Sequence, residues 1–102
     1  MTIQEYLKGL KNFQDSLNGI TLNNYKSELN KIFDFGIENG KIFYGDIQNN
    51  NAPHWNLYHT KVEKYPSIEN ESNANKQSEL EFVISEVETD LGIIISYITK
   101  SN

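Results

Sequence analysis

The chain holds no cysteine, no arginine, two prolines and a single tryptophan in 102 residues. Each shortage closes off a class of function. Without cysteine there is no disulfide framework, no thiolate nucleophile and no cysteine-ligated zinc or iron–sulfur site. Arginine supplies the bidentate phosphate contacts of most nucleic-acid-binding surfaces. Here it is absent, and nine lysines face fourteen acids, the reverse of a basic footprint. The same deficit argues against docking on an anionic membrane. Long hydrophobic runs are missing as well. The longest mostly apolar stretch, "LGIIISYI" at 91–98, falls far short of the roughly 20 residues that span a bilayer. The opening segment "MTIQEYLKGLKN" has no uninterrupted apolar core of the kind a secretory signal needs. These absences predict a cytoplasmic protein with no direct nucleic-acid or membrane contact.

What remains is enough for one domain. A chain of this length buries roughly two thirds of its unfolded surface, and 37% apolar content with twelve aromatic residues supplies a core. Fourteen asparagines, including Asn49-Asn50-Asn51, add a polar, low-complexity character that turns and surfaces accommodate without any special chemistry. The charge is more informative. Through residue 65, seven acids and seven lysines cancel; from residue 66 onward there are seven acids and two lysines, Lys76 and Lys100. The whole net charge of −5 therefore belongs to the last third of the chain.

Hydrophobic periodicity predicts two N-terminal helices. Ile3, Tyr6, Leu7, Leu10, Phe13 and Leu17 form one helical stripe. Thr2 with Glu5 matches a capping box, and Asn18-Gly19 a stop. A second stripe, Leu22, Tyr25, Leu29, Ile32, Phe33 and Gly36, predicts a helix that begins after Thr21 and ends near Asn39-Gly40. From residue 41 the pattern reads as β. "KIFYGDI" and "HWNLYHTKVEKY" are expected strands, with a loop at 49–53 between them and Pro66 closing the second. Residues 66–78 read as a long acidic loop. Leu80, Val83, Ile84, Val87 and Leu91 match a helical stripe, but the β-branched run Ile93-Ile94-Ile95 follows it with almost no room for a loop. A hairpin, with strands at 79–88 and 92–99, resolves that conflict. The expected fold is α+β: two helices over residues 1–40, packed on about four mainly antiparallel strands within residues 41–102.

No catalytic or cofactor motif accompanies this pattern. A two-histidine nuclease would need His54 and His59 on one phosphate beside Lys41, Lys61 or Lys64, yet five residues apart on a strand the rings point to opposite faces. The same objection applies to a metal site built from Asp46, His54, His59 and Glu63, and "ELEFVISEVETD" lacks the ligand rhythm of a calcium loop. No serine lies in G-x-S-x-G or S-x-x-K, and no G-K-[ST] follows Gly36, Gly40 or Gly45. The expectation is a non-enzyme without cofactor or metal.

Binding is the class of function that survives. Glu69 and Glu71 in the acidic loop, followed by Glu79, Glu81, Glu86, Glu88 and Asp90, make a concentrated negative region. As an ordinary solvated surface it needs no function. As a field confined to one third of the fold it steers a basic partner. Trp55, Tyr58 and Tyr65 are candidate aromatic anchors for such a partner, since tryptophan and tyrosine give large contact area at small entropic cost.

In size, acidity, lack of cysteine and asparagine-rich style, the chain resembles a bacterial toxin-immunity protein, such as those of contact-dependent growth inhibition systems. The resemblance implies a stoichiometric inhibitor that binds one toxin domain, often a nuclease, and masks its basic active site with an acidic surface. A phage-type inhibitor of a host defence nuclease would share this pattern, and a small two-histidine ribonuclease is the enzymatic alternative.

Overall fold

The computed structural model describes residues 1–47 and 51–101. Its order is α1 (Ile3–Ser16), α2 (Tyr25–Tyr44), α3 (Trp55–His59), a π-helical turn (Thr60–Lys64), α4 (Pro66–Asn70) and α5 (Lys76–Ser101). A 3-10 turn, Leu17–Gly19, follows α1. The α+β expectation is overturned: about 80% of the structure is helical, and among the described residues there is no strand. α1 packs between α2 and α5, and the broken segment 55–70 packs between the same two helices on the other side. Together they form a four-membered helical bundle. α5 sets its long dimension: 26 residues at 1.5 Å each span about 39 Å, and the molecule measures 44 × 27 × 19 Å.

The first helix forms as its sequence dictates. Thr2 Oγ1 accepts from the Glu5 amide at 3.1 Å, while Glu5 Oε1 accepts from the Thr2 amide at 2.8 Å. These bonds hold the Glu5 carboxyl below the ordinary carboxylate range. Tyr6 and Leu10 are fully buried, and Tyr6 donates to the Gly36 carbonyl at 2.7 Å. Burial raises the Tyr6 phenol far above its ordinary pKa, so it remains a donor.

The second helix begins at Tyr25, after a turn over Thr21–Asn24, and runs past its expected end. Asn39-Gly40 does not end it. Gly36 and Gly40 lie one turn apart on the face of α2 that receives the 54–57 segment. A Cβ at Gly36 would collide with the Leu57 side chain, and one at Gly40 would sit 2.6 Å from His54 Cγ. The two glycines form a notch that lets α3 approach closely. The helix stops instead at Gly45, whose φ of 89° few other residues adopt.

Both expected strands in this middle region are corrected. "KIFY" is the last turn of α2, and 55–70 is helical in three pieces. The buried His54, just before this segment, and Leu57, Thr60 and Ile68 within it are spaced three, three and eight apart, a helical period that the apparent alternation around Trp55 conceals. Pro66 opens α4 from its first position, where a missing N–H costs nothing, rather than closing a strand. The expected long loop at 66–78 contracts to a short link between α4 and α5, which begins at Lys76. Part of the loop expected at 49–53 lies outside the described residues.

The C-terminal hairpin is likewise a single helix. Leu80, Val83, Val87, Leu91, Ile94 and Ile98 are all buried, so the stripe does not end at Leu91 but passes through the β-branched run. Burying each such side chain is worth about 1.5–3 kcal/mol. Placing isoleucine in a helix interior costs only a few tenths relative to alanine. Tertiary burial decides the outcome, and no connecting loop is needed.

Candidate functional site

The five acids of α5 divide into three sets, determined by which side of the helix carries them. Glu79 and Glu86, two turns apart, turn toward the π-turn and α4. Ser67 donates to Glu79, and Lys64 Nζ lies 3.3 Å from Glu86 Oε2. Asp90, one turn further along, is 4% exposed, and its carboxylate accepts a hydrogen bond from the buried hydroxyl of Thr60. Glu81 and Glu88, again two turns apart, lie along the opposite side of the outward face. Both are exposed, and among the described residues neither has a lysine within ion-pair distance. Glu71, in the link before α5, likewise has none.

Glu69 belongs to a structural cluster at the other end of α4. It accepts from the Tyr25 hydroxyl at 2.6 Å and pairs with Lys26 at 3.0 Å. The two bonds hold its carboxyl below the ordinary range. Burial and the same carboxylate push the Tyr25 phenol up to about 12. Of the seven acids singled out in the sequence, Glu71, Glu81 and Glu88 therefore have no lysine partner among the described residues, Glu81 accepting only from the Gln77 amide of its own helix at 3.2 Å. Glu69, Glu79 and Glu86 are tied into the fold, and Asp90 faces inward.

The aromatic candidates separate in the same way. Tyr65 packs edge-on against Phe33 and Tyr25, and its hydroxyl accepts from Asn30 at 3.2 Å, so it joins α2 to the middle segment. Trp55 stacks on His59 with ring centroids 5.0 Å apart and planes 12° from parallel. Tyr58 is exposed and, with Trp55, Lys41, Asp46 and Ile47, lines a shallow pocket of about 410 Å³. That pocket lies away from the free acids of α5, so the structure does not bring all the candidates together on one surface.

The π-turn connects these regions. The Tyr65 amide reaches back five residues to the Thr60 carbonyl at 2.8 Å, and the inserted residue places Thr60 against Asp90. Burial is the chief reason that the Asp90 pKa rises to about 6. The Thr60 hydroxyl, Lys64 and His59 oppose the rise, and Glu86 adds to it. No sequence signal marks this contact, because the register shift that creates it has no motif.

The histidines do not form a reaction centre. His54 is fully buried beneath Gly40 and beside Tyr44, and neither ring nitrogen makes a hydrogen bond. Burial lowers its pKa, the Gly45 backbone opposes this as a nearby polar group, and Lys41 reinforces it. The imidazole is therefore neutral and sealed from substrate, while His59 is held against Trp55. Among the described residues no three histidine, cysteine or acidic side chains gather where they could hold a metal ion. No helix there is long and apolar enough to cross a membrane.

One further concavity remains. A groove of about 780 Å³ runs along the C-terminal half of α5, between Thr89, Gly92, Ile93, Ser96 and Tyr97 on one side and Ala52, Pro53 and Asn56 on the other. Comparison with protein-family models, curated proteins and solved structures finds no match for the chain.

Proposed function

We propose that this chain is a neutralising binding protein, the antidote partner of a toxin domain whose active site is basic. The observation that carries this reading is the set Glu71, Glu81 and Glu88, the first half-buried and the other two exposed, without lysine partners among the described residues, on a fold in which Glu69, Glu79, Glu86 and Asp90 are committed. The lysines of the first 65 residues offset the acids there, so the uncompensated field is concentrated toward α5. Such a field accelerates capture of a cationic partner and opposes capture of nucleic acid. A toxin nuclease fits because its cleft must attract phosphate, and an acidic helix laid across that cleft takes the place of the nucleic-acid backbone.

The test is rescue of growth. The product of the adjacent gene is induced in a host with or without this chain, and its toxicity is scored. The reading predicts rescue by the wild type and loss of rescue when Glu71, Glu81 and Glu88 are together replaced by lysine. No rescue by the wild type, or full rescue by the triple variant, would overturn it.

A further inference from the structure

The dipeptide Asn-Gly occurs twice, at 18–19 and at 39–40, and it carries a chemistry of its own. The glycine amide nitrogen, once it loses its proton, attacks Cγ of the asparagine side chain. A new C–N bond closes a cyclic imide, the bond to the side-chain nitrogen breaks, and ammonia leaves. Water then adds to one of the two imide carbonyls. One opening gives aspartate. The other gives isoaspartate, in which the main chain runs through the former side chain. Glycine favours the first step because it has no Cβ to crowd the nitrogen and its backbone turns freely.

The fold decides which of the two pairs reacts. Asn39-Gly40 lies inside α2, where the Gly40 amide belongs to the helical ladder. The Asn39 side chain donates to the Phe35 carbonyl at 2.9 Å, and Gly40 is buried against His54. Bringing the Gly40 nitrogen onto Asn39 Cγ requires unwinding the helix and parting it from His54. Asn18-Gly19 sits instead in the three-residue 3-10 turn Leu17–Gly19. Both residues are exposed, and an added Cβ at Gly19 would meet nothing within 4 Å. The Asn18 side chain has no hydrogen-bond partner among the described residues. Turns of this kind have poor hydrogen-bond geometry and open locally at small cost. We infer that Asn18 is a site of spontaneous self-modification in the folded protein, converting to isoaspartate and aspartate, while Asn39 is protected.

The modification falls where the main chain has a job. Leu17 and Ile20, on either side of the pair, are buried, and the Ile20 amide donates to the Leu17 carbonyl at 3.1 Å. Asn24 donates to the Gly19 carbonyl at 3.1 Å and accepts from the Thr21 amide at 2.8 Å. Isoaspartate lengthens the main chain by one methylene between Leu17 and Ile20, and so pulls the junction of α1 and α2 out of register. Either product also adds a negative charge to the first 65 residues, where acids and lysines otherwise cancel. This inference concerns the chain alone and does not rest on the binding reading above.

Peptide mapping by mass spectrometry tests it on the wild-type protein, incubated at mildly alkaline pH both folded and in urea. In the folded protein residue 39 should convert more than about a hundredfold more slowly than residue 18, because opening a helix interior costs a large share of the global stability and opening a turn very little. In urea the two should convert at similar rates. Gly19→Ala should slow conversion at residue 18 by about an order of magnitude, since a Cβ crowds the attacking nitrogen. The isoaspartate fraction, separated by ion exchange, should unfold at lower urea than fresh protein. Asn18→Asp, with the same charge and an ordinary main chain, should not. Residue 18 converting no faster than residue 39 in the folded protein would overturn the inference, and so would a folded chain inert at residue 18 while the unfolded chain reacts. Equal unfolding midpoints for the isoaspartate fraction and fresh protein would overturn the damage assigned to the junction. The comparison of residues 18 and 39 needs the wild type alone, so it decides even if a variant fails to fold.

Discussion

Asp90 makes the stability of this fold depend on pH in a direction opposite to that of an ordinary surface carboxylate. Its side chain is 4% exposed and accepts from Thr60, and its pKa stands at about 6 against an ordinary 3.8. The native state therefore holds this proton more tightly than the unfolded chain does. The resulting stabilisation is complete below about pH 3.8 and is lost as the pH rises through about 6. A difference of about two pKa units corresponds to about 3 kcal/mol between the two limits. Glu5 and Glu69, whose pKa values are lowered, act the other way and lose stability in acid, so the wild-type profile alone mixes opposing trends. Asp90→Asn isolates the single group, because asparagine keeps the size and can still accept from Thr60 but does not titrate. Urea unfolding at a series of pH values provides the assay. Relative to wild type, Asp90→Asn should gain about 2.5 kcal/mol between pH 4 and pH 8, a midpoint shift of about 1–2 M urea for a domain of this size. A difference between the two proteins that stays flat across that range would refute the argument, since the carboxylate would then be as well solvated folded as unfolded.

Two other buried features give further tests. Gly40→Ala raises helix propensity by about 1 kcal/mol but places a methyl group 2.6 Å from His54 Cγ. Overpacking of that kind costs about 1–3 kcal/mol, so chemical denaturation should show net destabilisation. Gly19→Ala, with open space around it, should be neutral. His54 is buried and its pKa is lowered, so its contribution is intact above its ordinary value near 6.5 and declines as the pH falls below that. His54→Leu should flatten the acid side of the unfolding profile below pH 6.5, and an unchanged slope would show that the ring reaches solvent in the native state.

The parts of this fold that were legible in the sequence are those where one local rule decides. The Thr2–Glu5 capping box and the α1 stripe needed nothing beyond residues 2–17. The β assignments failed where local patterns were overruled by packing. Asn39-Gly40 carries the signature of a helix stop, yet Gly40 lies inside α2 and admits the His54 ring. Ile93-Ile94-Ile95 favours a strand, yet Ile94 and Ile98 complete a helical stripe against the core. Pro66 suits the end of a strand as well as the start of a helix, yet it initiates α4. The candidate site was half legible. The segregation of charge is a property of composition and position alone. Which acids are free depends on Ser67, Lys64 and Thr60, and the π-turn that aligns Thr60 and Lys64 with α5 leaves no trace in the residue pattern.

In the proposed function the acids without lysine partners, Glu71, Glu81 and Glu88, draw in a basic partner. The most direct measurement is the association rate of this chain with the toxic product of the adjacent gene, for wild type and for the variant with Glu71, Glu81 and Glu88 replaced by lysine. It should be made at about 0.05 M and about 0.5 M salt, where the screening length falls severalfold. The account predicts a wild-type rate that drops about tenfold or more with salt, and a variant that is slow at both concentrations and nearly indifferent to salt. Equal rates for the two proteins, each insensitive to salt, would contradict it.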